Sequence, residues 1–190
     1  SACGLPIALA GALGFALFYA AVFSANKVYG LIDTPPAFLF AILITAGAMA
    51  YAVWLDEIII AFLSLLGGFL SPILITTERV LPVQLFGYVL VVGLGAMACA
   101  AFRRWRAVNW MSFAGTLILY TLWFEKFYRP EQMTTALFWL GVFGGMFLLL
   151  PVLYGLMRNQ AAHSEDVGLV VVNSMAVFFY LWRMLYPAYQ

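Results

Sequence analysis

Seven long apolar runs, separated by short polar segments, organise the chain. The hydrocarbon core of a bilayer is about 30 Å thick and takes about 20 mostly apolar residues per helix. Each run has roughly this length, so each is predicted to form one membrane-spanning helix. The predicted spans are residues 5–23, 36–55, 58–75, 83–102, 109–124, 134–157 and 167–186. The pattern therefore predicts an all-α, polytopic transmembrane helix bundle with about seven spans.

The composition also indicates that most of the chain lies in the lipid bilayer. Of 190 residues, 66% are hydrophobic and 9% charged, whereas a soluble domain has about 25% charged residues. The net charge of +1 provides no basic field, so nucleic-acid binding is not expected. We expect residues 1–190 to form a single transmembrane helical domain. A chain that begins at Ser1 without methionine is compatible with a piece of a longer multi-span protein.

Two groups of small residues predict close helix packing. Gly67 and Gly68 lie in the third predicted span and are followed by Pro72. Glycines let another backbone approach, and Pro72 lacks an N–H, so the helix should bend or end there unless neighbouring helices satisfy the freed carbonyl. In the sixth span, Gly141 and Gly145 have GxxxG spacing, which predicts a second contact between helices.

Four polar residues in or beside the spans are candidates for function. Asp56 and Glu57 alone separate the second and third spans, which predicts a tight hairpin. A water-exposed turn is the preferred interpretation of these carboxylates, and cation binding or proton relay is the alternative. Asn173 is interpreted as forming an interhelical hydrogen bond, with a substrate contact as the alternative. Arg183 is expected to reach the interface, in preference to pairing with a buried acid.

The sequence shows no motif that indicates a catalytic, cofactor or metal site. Cys3 and Cys99 are too far apart for a CxxC motif, and His163 has no second ligand nearby at metal spacing. No glycine motif that cradles a phosphate and no nucleophile elbow occurs. We therefore expect no catalytic residue, no cofactor and no metal, although an enzyme is not excluded.

A basic cluster at Arg103-Arg104-Trp105-Arg106 predicts the cytoplasmic side of the membrane. The count over the whole chain does not reinforce this orientation, because the predicted inner side holds four of the 9 lysines and arginines and the outer side five. The orientation therefore depends on this cluster.

One further pattern links three stretches in order. Leu66-Gly67-Gly68-Phe69-Leu70-Ser71-Pro72 is followed by Leu85-Phe86-Gly87-Tyr88 and then by the basic cluster. In these stretches the chain resembles a family of bacterial polytopic membrane proteins known as domain of unknown function 2339. The resemblance implies a multi-span protein of the bacterial inner membrane, usually longer than this chain, and it carries over no catalytic residue.

Three functions remain open at this point. The favoured one is a non-catalytic helix-packing subunit or scaffold of a bacterial inner-membrane assembly. Its partners would be membrane lipids and other transmembrane subunits or further copies of the chain. The alternative is a transporter or channel-like protein that moves a small solute, ion or lipid. A membrane enzyme acting on lipid or polyprenyl substrates is the least favoured.

Overall fold

The computed structural model describes the backbone of residues 4–75, 81–103, 105–158 and 164–186. Its side chains are described for residues 10–74, 81–103, 105–149 and 166–186. The α-helices are α1 (Gly4–Phe23), α2 (Thr34–Leu55), α3 (Ile58–Ile75), α4 (Pro82–Arg103), α5 (Arg106–Phe127), α6 (Met133–Arg158) and α7 (Ser164–Leu185). The predicted all-α fold is confirmed. Cys3, Arg104 and His163 lie outside the described residues.

Length and composition make most of these helices capable of crossing a membrane. In the part of the chain that the structure describes, 6 helices are long and apolar enough to do so. The remaining one, α3, has a shorter apolar stretch, Ile58–Leu74. The helices therefore fit a membrane bundle in which α3 is the short member.

The helix ends lie within a few residues of the predicted ones, and α5 differs most. The sequence predicts this span at residues 109–124, whereas the helix runs from Arg106 to Phe127. Arg106 and Lys126 can extend a membrane helix because their long side chains reach the interface. At the end of α1, a π-helical turn, Ser24–Val28, continues the helical backbone beyond the apolar run.

The chain divides into two compact units, residues 1–119 and 120–190, and the boundary falls within α5. In the first unit, α2 contacts α1, α3 and α4. Helix α2 can pack so closely because it buries a row of alanines at helical spacing. These fully buried residues are Ala37, Ala41, Ala48 and Ala52. The core of this unit therefore lies around α2 and the adjacent face of α3.

The second unit contains the end of α5, a 3-10 turn at Pro130–Gln132, α6 and α7. Helices α6 and α7 pack against each other. Their buried side chains are mostly large, and they include Trp139, Phe143, Phe147, Leu169, Tyr180 and Met184. The single domain expected from the sequence stays a prediction.

Candidate functional site

Helix α3 continues through Pro72 instead of ending there. In an α-helix the carbonyl of Gly68 would accept from the N–H of residue 72, and proline has none. The Tyr88 hydroxyl on α4 donates to this carbonyl at 2.6 Å. Tyr88 is 2% exposed, and its ring lies 5.1 Å from that of Phe38. A neighbouring helix therefore replaces the hydrogen bond that the proline removes.

Helices α1, α2 and α3 place further hydroxyls around the same glycines. Tyr19 on α1 lies 2.6 Å from the Thr45 hydroxyl on α2. The Thr45 hydroxyl uses its one proton in a hydrogen bond to the Ala41 carbonyl at 2.6 Å. Its oxygen therefore accepts a hydrogen bond from the Tyr19 hydroxyl. The Tyr19 hydroxyl also lies 3.3 Å from the Ser64 carbonyl. These contacts link α1 to α2 and α3.

Two serines complete this group within α3. Ser64 donates to the Ile60 carbonyl at 2.6 Å, and Ser71 donates to the Gly67 carbonyl at 2.7 Å. Both serines therefore satisfy their hydroxyls on the preceding helical turn. We name the group the hydroxyl cluster, and its members are Tyr19, Thr45, Ser64, Ser71 and Tyr88.

The two glycines of α3 are the positions that let the cluster assemble. A Cβ added at Gly67 would lie 2.7 Å from the Tyr19 ring. At Gly68 an added Cβ would lie 3.2 Å from Thr45 and 3.4 Å from Val92. The missing side chains thus give α1, α2 and α4 room against α3, and within the first unit this glycine surface is covered by the chain itself.

The hairpin between α2 and α3 is closed by Asp56, which adopts a left-handed conformation with φ 58°. Its N–H bonds to the Ala52 carbonyl, and the N–H of Glu57 bonds to the same oxygen at 3.1 Å. Arg103 donates to the Val53 carbonyl, and its guanidinium lies 3.3 Å from the Asp56 carboxylate. The ion pair is partly exposed, with Asp56 60% accessible. Asp56 therefore ends a helix and anchors α4, while Glu57 starts the next turn.

In the second unit, the α6–α7 contact involves a different glycine from the pair singled out by GxxxG spacing. Asn173 on α7 donates from Nδ2 to the Gly144 carbonyl at 2.9 Å. A Cβ added at Gly144 would lie 2.8 Å from Val177. At Gly141 and Gly145, by contrast, no heavy atom of the described residues lies within 4 Å of an added Cβ. The Gly141–Gly145 face is therefore not covered by the part of the chain that the structure describes.

Comparison with known proteins now identifies the family. A family model described as a predicted membrane protein, DUF2339, matches residues 2–187. The chain belongs to the DUF2339 family. A search of curated proteins and a search of solved structures return no match. The family assignment agrees with the membrane bundle, and it assigns no activity to any residue.

Arg183 of the DUF2339 chain pairs with Glu125, near the ends of α7 and α5. The guanidinium is bidentate, with Nη1 on Oε1 and Nη2 on Oε2 at 3.2 Å. It also lies 5.4 Å from the centre of the Phe124 ring. One turn before Arg183, the Tyr180 hydroxyl lies 2.7 Å from that of Thr121. Glu125, the acid that pairs with Arg183, is about half exposed. The pair therefore differs from the pairing with a buried acid that was the alternative in the sequence.

Grooves in the first unit of the DUF2339 chain flank the outward ridge of α3 at Leu66. One groove lies between α3 and α5 and has a volume of about 240 Å³. The other lies between α1 and α3 and has a volume of about 250 Å³. Leu66 borders both, and their linings are almost wholly apolar. These grooves suit hydrocarbon chains and present no convergent set of charged groups.

The sequence does not identify Tyr88, Arg103 or Glu125 as the partners of the Pro72 turn, Asp56 and Arg183. Tyr88 had a recoverable signal, since a proline inside an apolar span needs a donor from another helix. The sequence alone does not say which helix provides it. Within the described residues, groups of three or more metal-ligating side chains are not found.

Proposed function

We propose that this DUF2339 chain is a non-catalytic helix-packing subunit of a membrane assembly. One observation carries the proposal: every proton of the hydroxyl cluster has an acceptor inside the chain. The hydroxyls of Ser64, Ser71 and Tyr88 donate to backbone carbonyls of α3. Thr45 donates to α2, and Tyr19 donates to Thr45. Each hydroxyl has one proton, so the cluster stabilises helix contacts and has no donor left for a substrate.

The open glycine face of α6 supports a partner outside the chain. An added Cβ at Gly141 or Gly145 would meet no heavy atom of the described chain within 4 Å, and Phe138 and Leu148 beside these glycines are 62% and 45% exposed. Small residues at four-residue spacing let a second helix approach closely in a bilayer. We propose that this face receives a transmembrane helix of another subunit, while lipids cover the other outward faces. The bacterial inner membrane is the proposed location.

The test compares association before and after the α6 face is filled. The wild-type protein is crosslinked in native membranes and purified in mild detergent, and the mass of the complex is measured. G141L combined with G145L should abolish the crosslinked complex because two large side chains then occupy the face. G95L is the matched control, since Gly95 on α4 also has no heavy atom within 4 Å of an added Cβ. The control should retain the complex.

Two outcomes would contradict this function. One is a wild-type protein that runs as a lone monomer and gives no crosslinked species. The other is equal loss of the complex in the α6 variant and in G95L, because the effect would then not belong to the Gly141–Gly145 face. Helical content and thermal stability are recorded for all variants, so that misfolding is recognised.

A transporter is the second candidate, and one observation favours it. The first two turns of helix α5 contain two buried polar atoms, Oδ1 of Asn109 and Oγ of Ser112, without a hydrogen-bond partner in the described structure. Transport paths through membranes are lined by polar groups of this kind. Purified protein in liposomes should then accelerate flux of a small ion or solute, and S112L should reduce that flux. Flux equal to that of protein-free liposomes would reject this candidate for the solutes tested.

A further inference from the structure

The groove between α1 and α3 lies along one half of the α3 helix. Its α3 wall runs from Ile60 to Gly67, and its α1 wall runs from Ala12 to Tyr19. Helix α3 has 18 residues, so Gly67 lies near its middle. The groove between α3 and α5 follows α3 only beyond this point, from Leu66 onward. Neither groove therefore follows α3 through the whole membrane.

These dimensions suit one acyl chain better than a partner helix. The groove has a volume of about 250 Å³, and a cavity of about 150 Å³ already holds a benzene molecule. The distance from Ile60 to Gly67 is about 10 Å along the helix axis at 1.5 Å per residue. A transmembrane helix is about 30 Å long and needs a face along the whole span. An acyl chain extends only from the membrane surface to the bilayer centre, as this groove does.

Glu57 lies at the surface end of the groove. Its carbonyl accepts a hydrogen bond from the N–H of Ile60 at 3.2 Å, so the first turn of α3 begins at Glu57. Glu57, Ile60 and Ser64 are three and four residues apart, which puts them on the same side of the helix. The neighbouring Asp56 pairs with Arg103, whereas the Glu57 carboxylate has no ion-pair partner among the described residues. A carboxylate without a paired cation therefore lies about one turn from the apolar lining.

We propose that this groove binds a phospholipid with a primary amine in its headgroup, of the phosphatidylethanolamine class. One acyl chain fills the groove, and the ammonium group donates to the Glu57 carboxylate. A protonated primary amine has three N–H donors, and hydrogen bonds between charged groups are stronger than neutral ones. A choline headgroup has the same positive charge but no N–H, and a phosphatidylglycerol headgroup has no cation. Both should therefore bind more weakly. This inference does not depend on the packing role proposed above.

Lipid binding by the purified, delipidated protein tests the headgroup preference. Native mass spectrometry measures the fraction of protein that holds added phosphatidylethanolamine, phosphatidylcholine or phosphatidylglycerol with identical acyl chains. The wild type should bind the ethanolamine lipid most tightly, and E57Q should lower this affinity about fivefold, the upper range for an exposed ion pair. E131Q is the matched control, because Glu131 is an exposed glutamate in the 3-10 turn of the second unit. The control should keep the preference.

A second pair of variants tests whether the acyl chain occupies the groove. Ala16 lines the groove and is exposed, so A16L fills the space and should abolish the preference for the ethanolamine lipid. A21L is the matched control, since it adds the same side chain to α1 at an exposed position that does not line the groove. A21L should bind the lipids as the wild type does.

Three results would overturn the proposal. Equal binding of the three lipids by the wild type would do so without any variant, and therefore does not depend on how the variants fold. An unchanged preference in E57Q would show that Glu57 does not hold the headgroup. Unchanged lipid binding by A16L, together with loss of a protein complex, would show that a helix occupies the groove instead. Helical content and thermal stability are recorded for each variant.

Discussion

The Tyr88 hydroxyl should contribute to stability because Pro72 leaves the Gly68 carbonyl without its helical donor. The substitution Y88F removes one oxygen and keeps the ring, so the packing against Phe38 at 5.1 Å is preserved. The change therefore isolates the 2.6 Å hydrogen bond to Gly68. After the substitution, the buried carbonyl has lost its donor, and the nearby hydroxyls of Thr45 and Ser71 already donate to other carbonyls.

The size of the stability loss depends on whether another donor can replace the Tyr88 hydroxyl at the Gly68 carbonyl. Hydrogen bonds between membrane helices contribute about 0.6 kcal/mol on average, since the unfolded chain in the membrane also finds partners. A buried carbonyl left unsatisfied costs about 1–3 kcal/mol. We expect Y88F to lower the free energy of unfolding by about 1–2 kcal/mol, which is up to roughly a thirtyfold change in the unfolding equilibrium. In a P72A background the restored N–H serves Gly68, and Y88F should cost only about 0.5 kcal/mol.

The assay is a double-mutant cycle on the purified protein. Unfolding is driven by a rising mole fraction of a denaturing detergent in mixed micelles and followed by tryptophan fluorescence. The expected coupling between Tyr88 and Pro72 is about 1 kcal/mol, above the scatter of about 0.3–0.5 kcal/mol seen for independent sites. Y29F is the control, because Tyr29 is 72% exposed and its hydroxyl can bond to water. Equal costs of Y88F in the two backgrounds would refute the assignment of Tyr88 as the donor that replaces residue 72.

Further predictions compare residues that look alike in the sequence. G67A should destabilise the protein by about 1–3 kcal/mol, because the new methyl would lie 2.7 Å from the ring of Tyr19. G141A should be neutral or stabilising, because its site is open. Detergent-induced unfolding of both variants checks this, and equal losses of stability would contradict it. N173L should change stability by no more than about 0.6 kcal/mol, since the carbonyl of Gly144 keeps its place in the helical hydrogen-bond ladder when the amide is removed. A loss of 2 kcal/mol or more, on the order of a buried group left unsatisfied, would show that Asn173 has a second role.

The positions of the helices were predictable from the sequence for a simple reason. The thickness of the bilayer sets the length of each apolar run, and charged or turn residues such as Asp56 mark where a run ends. The tight turn after α2 follows because only Asp56 and Glu57 separate two spans. The extension of α5 to Arg106 and Lys126 was missed because hydropathy undervalues long side chains that reach the interface.

The contacts between helices could not be predicted in the same way. A soluble helix reveals its inner face through alternating apolar and polar residues, but a membrane helix is apolar on most sides. The sequence therefore did not indicate whether Gly141, Gly144 or Gly145 meets α7, although all three lie within five residues. Side-chain direction decides the matter, and the structure places Gly144 against Val177.

The polar side chains of this bundle fall into two classes with different consequences. The hydroxyls of Tyr88 and Ser71 donate hydrogen bonds to carbonyls of α3, so removing either hydroxyl should lower the free energy of unfolding. Ser112 on α5 has a buried hydroxyl without a hydrogen-bond partner among the described residues, so its removal should not lower the free energy of unfolding. A hydroxyl already bonded within the fold cannot serve a ligand without weakening the fold, whereas an unbonded one can.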